Sequence, residues 1–234
     1  VPQISARQAQ YYREQRLTLL AQRKIAHYLP PTLLGRVEAN PEEELALGGR
    51  RCEGAVLFAD VQGFTRRCNG APPESVVDQL NLYFEYMDEV VAAHGGIVDK
   101  RIGDGMMVVF VDVDRASPRE ALAVQALRCG LGMLRSLQAC NVELAAAGVE
   151  PLVIRVGVAA GPLVHGNIGS RERMEYTVIG EPVNLAARLE AAAGPDRLLT
   201  LPEFAALVPE VRGAPRTIEA KGFGSVQAFE LDPA

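Results

Sequence analysis

Four cysteines in 234 residues, Cys52, Cys68, Cys129 and Cys140, are too few and too scattered for a disulfide framework. None forms a CxxC pair, so a structural zinc site has no frame. Reduced thiols in a cytoplasmic domain are the expectation. The three histidines, His27, His94 and His165, show no HxxxH or HExxH spacing. A basic surplus is missing as well: 24 Lys and Arg against 29 Asp and Glu leave a net charge of −5. With no Lys/Arg stripe either, no nucleic-acid partner is expected. The chain has no run of eighteen apolar residues, no signal peptide at its start, no internal repeat and no GxGxxG after a strand. What is present, 48% hydrophobic and 23% charged residues, suits one sizeable core and is too short for two comfortable ones.

Residues 1–29 interleave Arg, Gln and Glu with Tyr12, Leu17, Leu20, Ile25 and Leu29, the pattern of a helix with a ragged apolar stripe that Pro30-Pro31 ends. A second short helix is expected at 31–38. The acidic Pro41–Glu44 and Gly48-Gly49 then read as a linker, placing a boundary near residue 50. Residues 1–49 are expected to connect an upstream sensor or membrane module of a longer parent to the domain at 50–234.

From Cys52 onward strands and helices alternate. The apolar run Ala55–Ala59 predicts a strand buried on both faces. Val76, Leu80, Tyr83, Phe84, Met87 and Val91 predict a helix over 73–94, bounded by Pro72-Pro73 and Gly95-Gly96. Ile97–Ile102 and Met106–Val111 predict a hairpin around Gly103-Asp104-Gly105. A long helix is expected at 118–147, a strand at Leu152–Ala160 broken by Gly161-Pro162, and short strands at Val164–Ile168 and Tyr176–Ile179. A helix at Pro182–Ala193 and strands at 216–220 and 226–231 complete the series. The order implies an α+β sandwich, helices on one face of a mostly antiparallel sheet.

Three stretches can carry chemistry. In Phe58-Ala59-Asp60-Val61-Gln62-Gly63-Phe64-Thr65 a carboxylate ends an apolar strand, where an isolated charge is costly. Asp60 reads either as a metal ligand beside a phosphate cradle of the Gly63, Phe64 and Thr65 amides, or as a cap for the next helix. Asp104 sits at a hairpin tip, where Asp beside Gly is common for turn reasons alone. If that hairpin pairs beside the first strand, Asp60 and Asp104 meet at one sheet edge and call for a hard divalent cation between them. Asn184 and Arg188, four apart, share one helix face and can grip a sugar and a phosphate. Taken singly, each is an ordinary surface residue.

Together the motifs FADVQGFT, DKRIGDGMM, GNIGSRERMEYTVIGEPVNLAARLE and AKGFGSVQAFEL resemble the catalytic domain of class III nucleotidyl cyclases, over residues 50–231. The segment HYLPPTL before them looks like the lead-in of bacterial members. The resemblance implies a ferredoxin-like βαββαβ sandwich with extra strands and conversion of ATP into cyclic AMP and pyrophosphate. Asp60 and Asp104, helped by the Val61 carbonyl, would bind two Mg²⁺ or Mn²⁺ ions. Arg188 would stabilise charge at the α-phosphoryl group, Asn184 would orient the ribose, and Lys221 would contact the terminal phosphates. The second lysine often found near Lys221 is Phe223 here. Arg171 or Arg173 is a further candidate for the triphosphate.

Lys100 falls where adenylate cyclases place a lysine donating to adenine N1, and Thr177 where many members carry an Asp that accepts from the 6-amino group. Guanine bears a proton on N1 and would meet Lys100 as donor against donor. The Lys/Thr pairing resembles a bacterial subgroup that includes bicarbonate-responsive cyclases, which makes bicarbonate a candidate regulator. The resemblance also implies a head-to-tail homodimer in which one chain supplies the aspartates and the other the base-reading pair, Asn184, Arg188 and Lys221. The rival readings are a catalytically weak cyclase-like nucleotide-binding or dimerisation module, which would lack one of these residues, and a diguanylate cyclase, which would need a GGDEF-like turn. The enzyme reading requires Asp60 and Asp104 to lie side by side; coordinates that put them on different surfaces would end it.

Overall fold

The computed structural model describes residues 11–13, 15–20, 24, 47–69, 72–112 and 117–233. The chain divides into two units, Val1–Leu47 and Gly48–Ala234. In the first, residues 11–13, 15–20 and 24 are helical and exposed. The HYLPPTL segment, the helix expected at 31–38 and the acidic Pro41–Glu44 stretch lie outside the described residues.

The second unit opens with β1 (Gly48–Val61), followed by α1 (Phe64–Cys68), α2 (Pro73–Ala93), β2 (Ile97–Ile102), β3 (Gly105–Val111) and α3 (Arg119–Ala146). Then come β4 (Ile154–Gly169), β5 (Met174–Ile179), α4 (Glu181–Ala192), β6 (Arg197–Thr200), α5 (Pro202–Ala205), β7 (Gly213–Ala220) and β8 (Gly224–Leu231). The strands form one sheet in the order β2-β3-β1-β4-β6-β8-β7, with β5 beside β4. All pairings are antiparallel except β4 with β6. The order β2-β3-β1-β4, crossed by α2 and α3, is a ferredoxin-like βαββαβ unit, and β5–β8 are the extra strands.

Strand periodicity divides the core between the two faces. On β1, Ala55, Leu57, Ala59 and Val61 face one buried cluster, together with Met106, Val108 and Phe110 of β3. α3 covers this side with Leu127, Leu131 and Leu134, while α2 adds Tyr83, Met87 and Val91, spaced one helical turn apart. Val56, Met107 and Val109 face the other way, against Leu185, Ala186 and Leu189 of α4. The sandwich is therefore covered on both faces, not on one as the element order suggested, because α4 turns back under the sheet.

Two further expectations are corrected. Gly48 and Gly49 belong to β1 rather than to a linker, since they pair with Asn167 and Gly166 of β4. β4 also runs unbroken through Gly161-Pro162. These residues keep their β1 partners, Gly54 and Glu53, but fall between the stretches of β4 that pair with β6 and with β5. A missing amide on that open side costs the ladder little. β6, α1 and α5 had no counterpart in the sequence reading. No helix among the described residues is long and apolar enough to cross a membrane.

Gly157 on β4 sets how closely α4 approaches. A Cβ there would run into the Glu190 backbone nitrogen and the Ala186 carbonyl oxygen. The contact is backbone against backbone, so no side-chain rotation relieves it. Gly157→Ala is therefore expected to destabilise the domain by about 1–3 kcal/mol, read as a lowered urea midpoint. An unchanged midpoint would mean that α4 shifts freely on the sheet.

Candidate active site

β1 and β3 are paired with Ala59 opposite Met106, so the ends of these strands bring Asp60 beside the β2–β3 turn that carries Asp104. Asp60 Oδ1 lies 3.1 Å from where a Gly105 side chain would begin, so any larger residue would oblige that oxygen to give by a few tenths of an ångström. The Asp104 carboxyl lies close enough to Asp60, and to the backbone amides of Asp104 itself and Val61, for each to act on its charge. Burial pushes its pKa up, and the Asp60 charge pushes the same way, against those two amides. Two carboxyls at contact distance need a shared proton or a cation. Their hard oxygens fit a divalent ion of the magnesium or manganese kind. No cluster of three His, Cys, Asp or Glu side chains that could hold a metal occurs among the described residues. An ion held by two carboxylates completes its shell with water, phosphate or backbone oxygens, and the Val61 carbonyl is adjacent in the chain.

After Val61 the chain turns sharply. The Gln62 amide donates to Val153 O at 2.8 Å, and Gly63, left-handed at φ 74, caps α1. The Gly63, Phe64 and Thr65 amides thus open a helix start; Phe64 is buried and Thr65 exposed. This turn and Arg66 border a cleft of ≈ 430 Å³.

Sequence reasoning passed over Arg155. It lies opposite Asp60 across the β1–β4 ladder, and its Nη2 is 3.0 Å from Asp60 Oδ2 and 3.0 Å from Glu190 Oε1 of α4. The Glu190 contact lacks hydrogen-bond alignment, and Glu190 Oε1 and Arg155 Nε are buried without hydrogen-bond partners. Burial pushes the Glu190 carboxyl up to about 7, helped by the charges of Asp60 and Asp104 and opposed by Arg155. Behind the pair, the fully buried Tyr83 hydroxyl also has no hydrogen-bond partner; burial raises its pKa, as do the same two aspartates. The signal for Arg155 was available: a lone charge in the apolar run Leu152–Ala160 needs a partner as much as Asp60 does.

A second cluster joins β2 to β5. The β2–β3 register slips between Val98 and Lys100, so Asp99 is a bulge residue. Thr177 Oγ1 of β5 donates to Asp99 Oδ2 at 2.9 Å. Lys100 Nζ lies 3.5 Å from the same oxygen and 2.6 Å from Glu175 Oε2. Burial opposes the charge on Lys100, yet its bond to Glu175 and the Asp99 charge hold its pKa above the ordinary value. For Asp99, burial raises the pKa while Thr177 and Lys100 pull it back. Lys100 and Thr177 are thus neighbours, linked by a residue to which the sequence assigned no role.

Asn184 and Arg188 occupy the exposed face of α4, one turn apart. Lys221 stands exposed in the β7–β8 turn, and Phe223 packs toward the α4-side core. No hydrogen bond or ion pair among the described residues ties Asn184, Arg188 or Lys221 to either cluster, or one cluster to the other. Arg171 and Arg173 are exposed in the β4–β5 connection, where the Arg173 charge acts on Glu175.

A model of the adenylate and guanylate cyclase catalytic domain matches residues 51–212. The chain belongs to this family. Adenylate cyclase 1 of Rhizobium meliloti (strain 1021) is 38% identical over 146 residues, 61% of this chain and 22% of its own length. The adenylyl cyclase CyaB from P. aeruginosa superposes with a TM-score of 0.73 at 33% identity, covering 79% of this chain and 96% of that one. A guanylyl cyclase structure gives a TM-score of 0.72, also at 33% identity, with 79% and 94% covered. The chain spans 22% to 28% of the length of the curated relatives it matches. It therefore carries a class III nucleotidyl cyclase domain with the fold of that family, a family whose members generally use divalent metal ions.

In this cyclase domain Glu190 retains a proton between its ordinary pKa of 4.5 and about 7, whereas the unfolded chain has released it. The fold's advantage from that group is complete below pH 4.5 and is lost as pH rises toward 7. With chelator present, wild-type melting temperatures are expected to fall relative to Glu190→Gln across that window. Parallel curves for the two proteins would contradict the assignment.

Proposed function

We propose that this cyclase domain converts ATP into 3′,5′-cyclic AMP and pyrophosphate, at sites shared between two copies of the chain. The observation that carries the reading is the contact of Asp60 with Asp104 at the ends of β1 and the β2–β3 turn. Asp60, Asp104 and the Val61 carbonyl are assigned as the holders of two Mg²⁺ or Mn²⁺ ions. When bound, such ions lower the pKa of the ribose 3′-hydroxyl and neutralise the departing pyrophosphate. In the reaction the 3′-oxygen forms a bond to the α-phosphorus, the α–β phosphoanhydride bond breaks with its electron pair leaving on pyrophosphate, and the hydroxyl proton passes to solvent. Arg188 is assigned to the charge at the α-phosphoryl group, Asn184 to the ribose, and Lys221 to the terminal phosphates. The Gly63, Phe64 and Thr65 amides would support the triphosphate.

ATP is favoured over GTP by Lys100 and Thr177, a donor for adenine N1 and a hydroxyl for the 6-amino group. The homodimer reading draws support from the separation of the metal-binding and base-reading clusters within a single chain. Residues 1–49 are read as a connector to an upstream sensor or membrane module, in keeping with the greater length of the relatives. A bicarbonate response would appear as a rate change at fixed pH.

Incubation with ATP or GTP and Mg²⁺ or Mn²⁺ is expected to yield mainly cyclic AMP, and none with chelator; cyclic GMP as the main product would overturn the ATP reading. Arg188→Ala is expected to lower kcat roughly 10²–10³-fold. Mixed with Asp60→Ala it should regain activity, because each mixed dimer keeps one site free of both changes. No recovery under conditions where the chains exchange would refute the shared site.

A further inference from the structure

A threonine hydroxyl is ambivalent: it can accept from the 6-amino group of adenine or donate to the O6 of guanine. Thr177 alone would therefore discriminate poorly at that edge of the base. In this structure its one hydrogen is already committed. Thr177 Oγ1 donates to Asp99 Oδ2 at 2.9 Å, and the Asp99 side chain is only 3% exposed. The Lys100 ammonium, 3.5 Å from the same oxygen, favours the ionised carboxylate. The hydrogen between the two oxygens is then the hydroxyl's, and what remains on Thr177 is a pair of acceptor sites.

We propose that Asp99 is a specificity-determining positioning residue: it fixes the Thr177 hydroxyl as an acceptor, so that the site receives the adenine 6-amino group and repels guanine O6. The inference rests on the reading of Lys100 and Thr177 as the base-recognising pair. The bulge at Asp99 supports it independently. In a regular strand neighbouring side chains point to opposite faces, but with the register slip between Val98 and Lys100 both reach β5, Asp99 at Thr177 and Lys100 at Glu175. Without the bulge, β2 could offer β5 the lysine or the aspartate, not both. Lys100 keeps a second and closer carboxylate in Glu175, 2.6 Å away, so its placement does not depend on Asp99 alone.

The test is the ratio of kcat/KM for ATP to that for GTP, measured on single preparations of the whole chain, so that loss of folded protein cancels. Asp99→Ala is expected to lower the ratio about five- to tenfold, the effect of one hydrogen bond of this kind. Asp99→Asn, nearly the same shape, should lower it too, because its amide can donate to Thr177 as readily as its oxygen accepts. Thr177→Val should lower the ratio, and adding Asp99→Ala to Thr177→Val should then change it little. An equal loss with both nucleotides, whatever its size, overturns the inference, as does an undiminished Asp99→Ala effect in the Thr177→Val background. A wild-type chain that prefers GTP would bring down the ATP reading, and this inference with it, before any variant is compared. A wild type that prefers ATP with a ratio indifferent to position 99 would overturn the Asp99 role alone.

Discussion

Two carboxyl groups that touch repel each other unless something positive or a proton lies between them, and the sheet of this domain forces that contact on Asp60 and Asp104. β1 and β3 are locked by a run of paired residues ending at Ala59 and Met106, with apolar side chains buried on both faces. A slip of one residue would send every buried side chain of β1 to the opposite core. The register is therefore held by the whole core. Arg155, Glu190 and Tyr83 make sense as the surroundings of that contact: one cation against Asp60, one carboxyl that holds its proton up to about pH 7, and one buried hydroxyl.

The same logic of an expensive group and its compensating partner runs through the second cluster. The Asp99 side chain is nearly buried, and burial pushes its pKa up. Thr177 and Lys100 offset that cost from opposite sides, one with a hydroxyl hydrogen and one with a charge. Both partners come to the same oxygen because β2 is bulged at that position. Groups that look like recognition elements from the side of a nucleotide are, from the side of the protein, the means of keeping an aspartate inside it.

The two clusters also differ in chemistry. One gathers carboxylate oxygens at the end of the central strands, beside the start of α1. The other gathers a lysine, a threonine and two carboxylates on β2 and β5. Asn184 and Arg188 lie on the exposed face of α4, on the second face of the sheet, with no hydrogen bond or ion pair to either group among the described residues. That separation is what the proposed shared site rests on.

Much of this was legible in the sequence. The helices over 73–94 and 118–147, the hairpin around Asp104 and the pairing of Asp60 with Asp104 follow from hydrophobic period, glycine placement and the cost of a lone carboxylate at a strand end. These are local signals, each complete within a dozen residues. Other features depended on strands far apart in the chain. The uninterrupted course of β4 through Pro162, the placing of α4 on the opposite face and the Arg155–Asp60 contact across 95 residues are set by which strands become neighbours. The bond between Thr177 and Asp99, 78 residues apart, is of the same kind. A sequence can name the residue types that need partners, because burial penalties belong to single groups; which partner each one meets is decided only when the whole sheet closes, because hydrogen bonds and ion pairs require contact within a few ångströms.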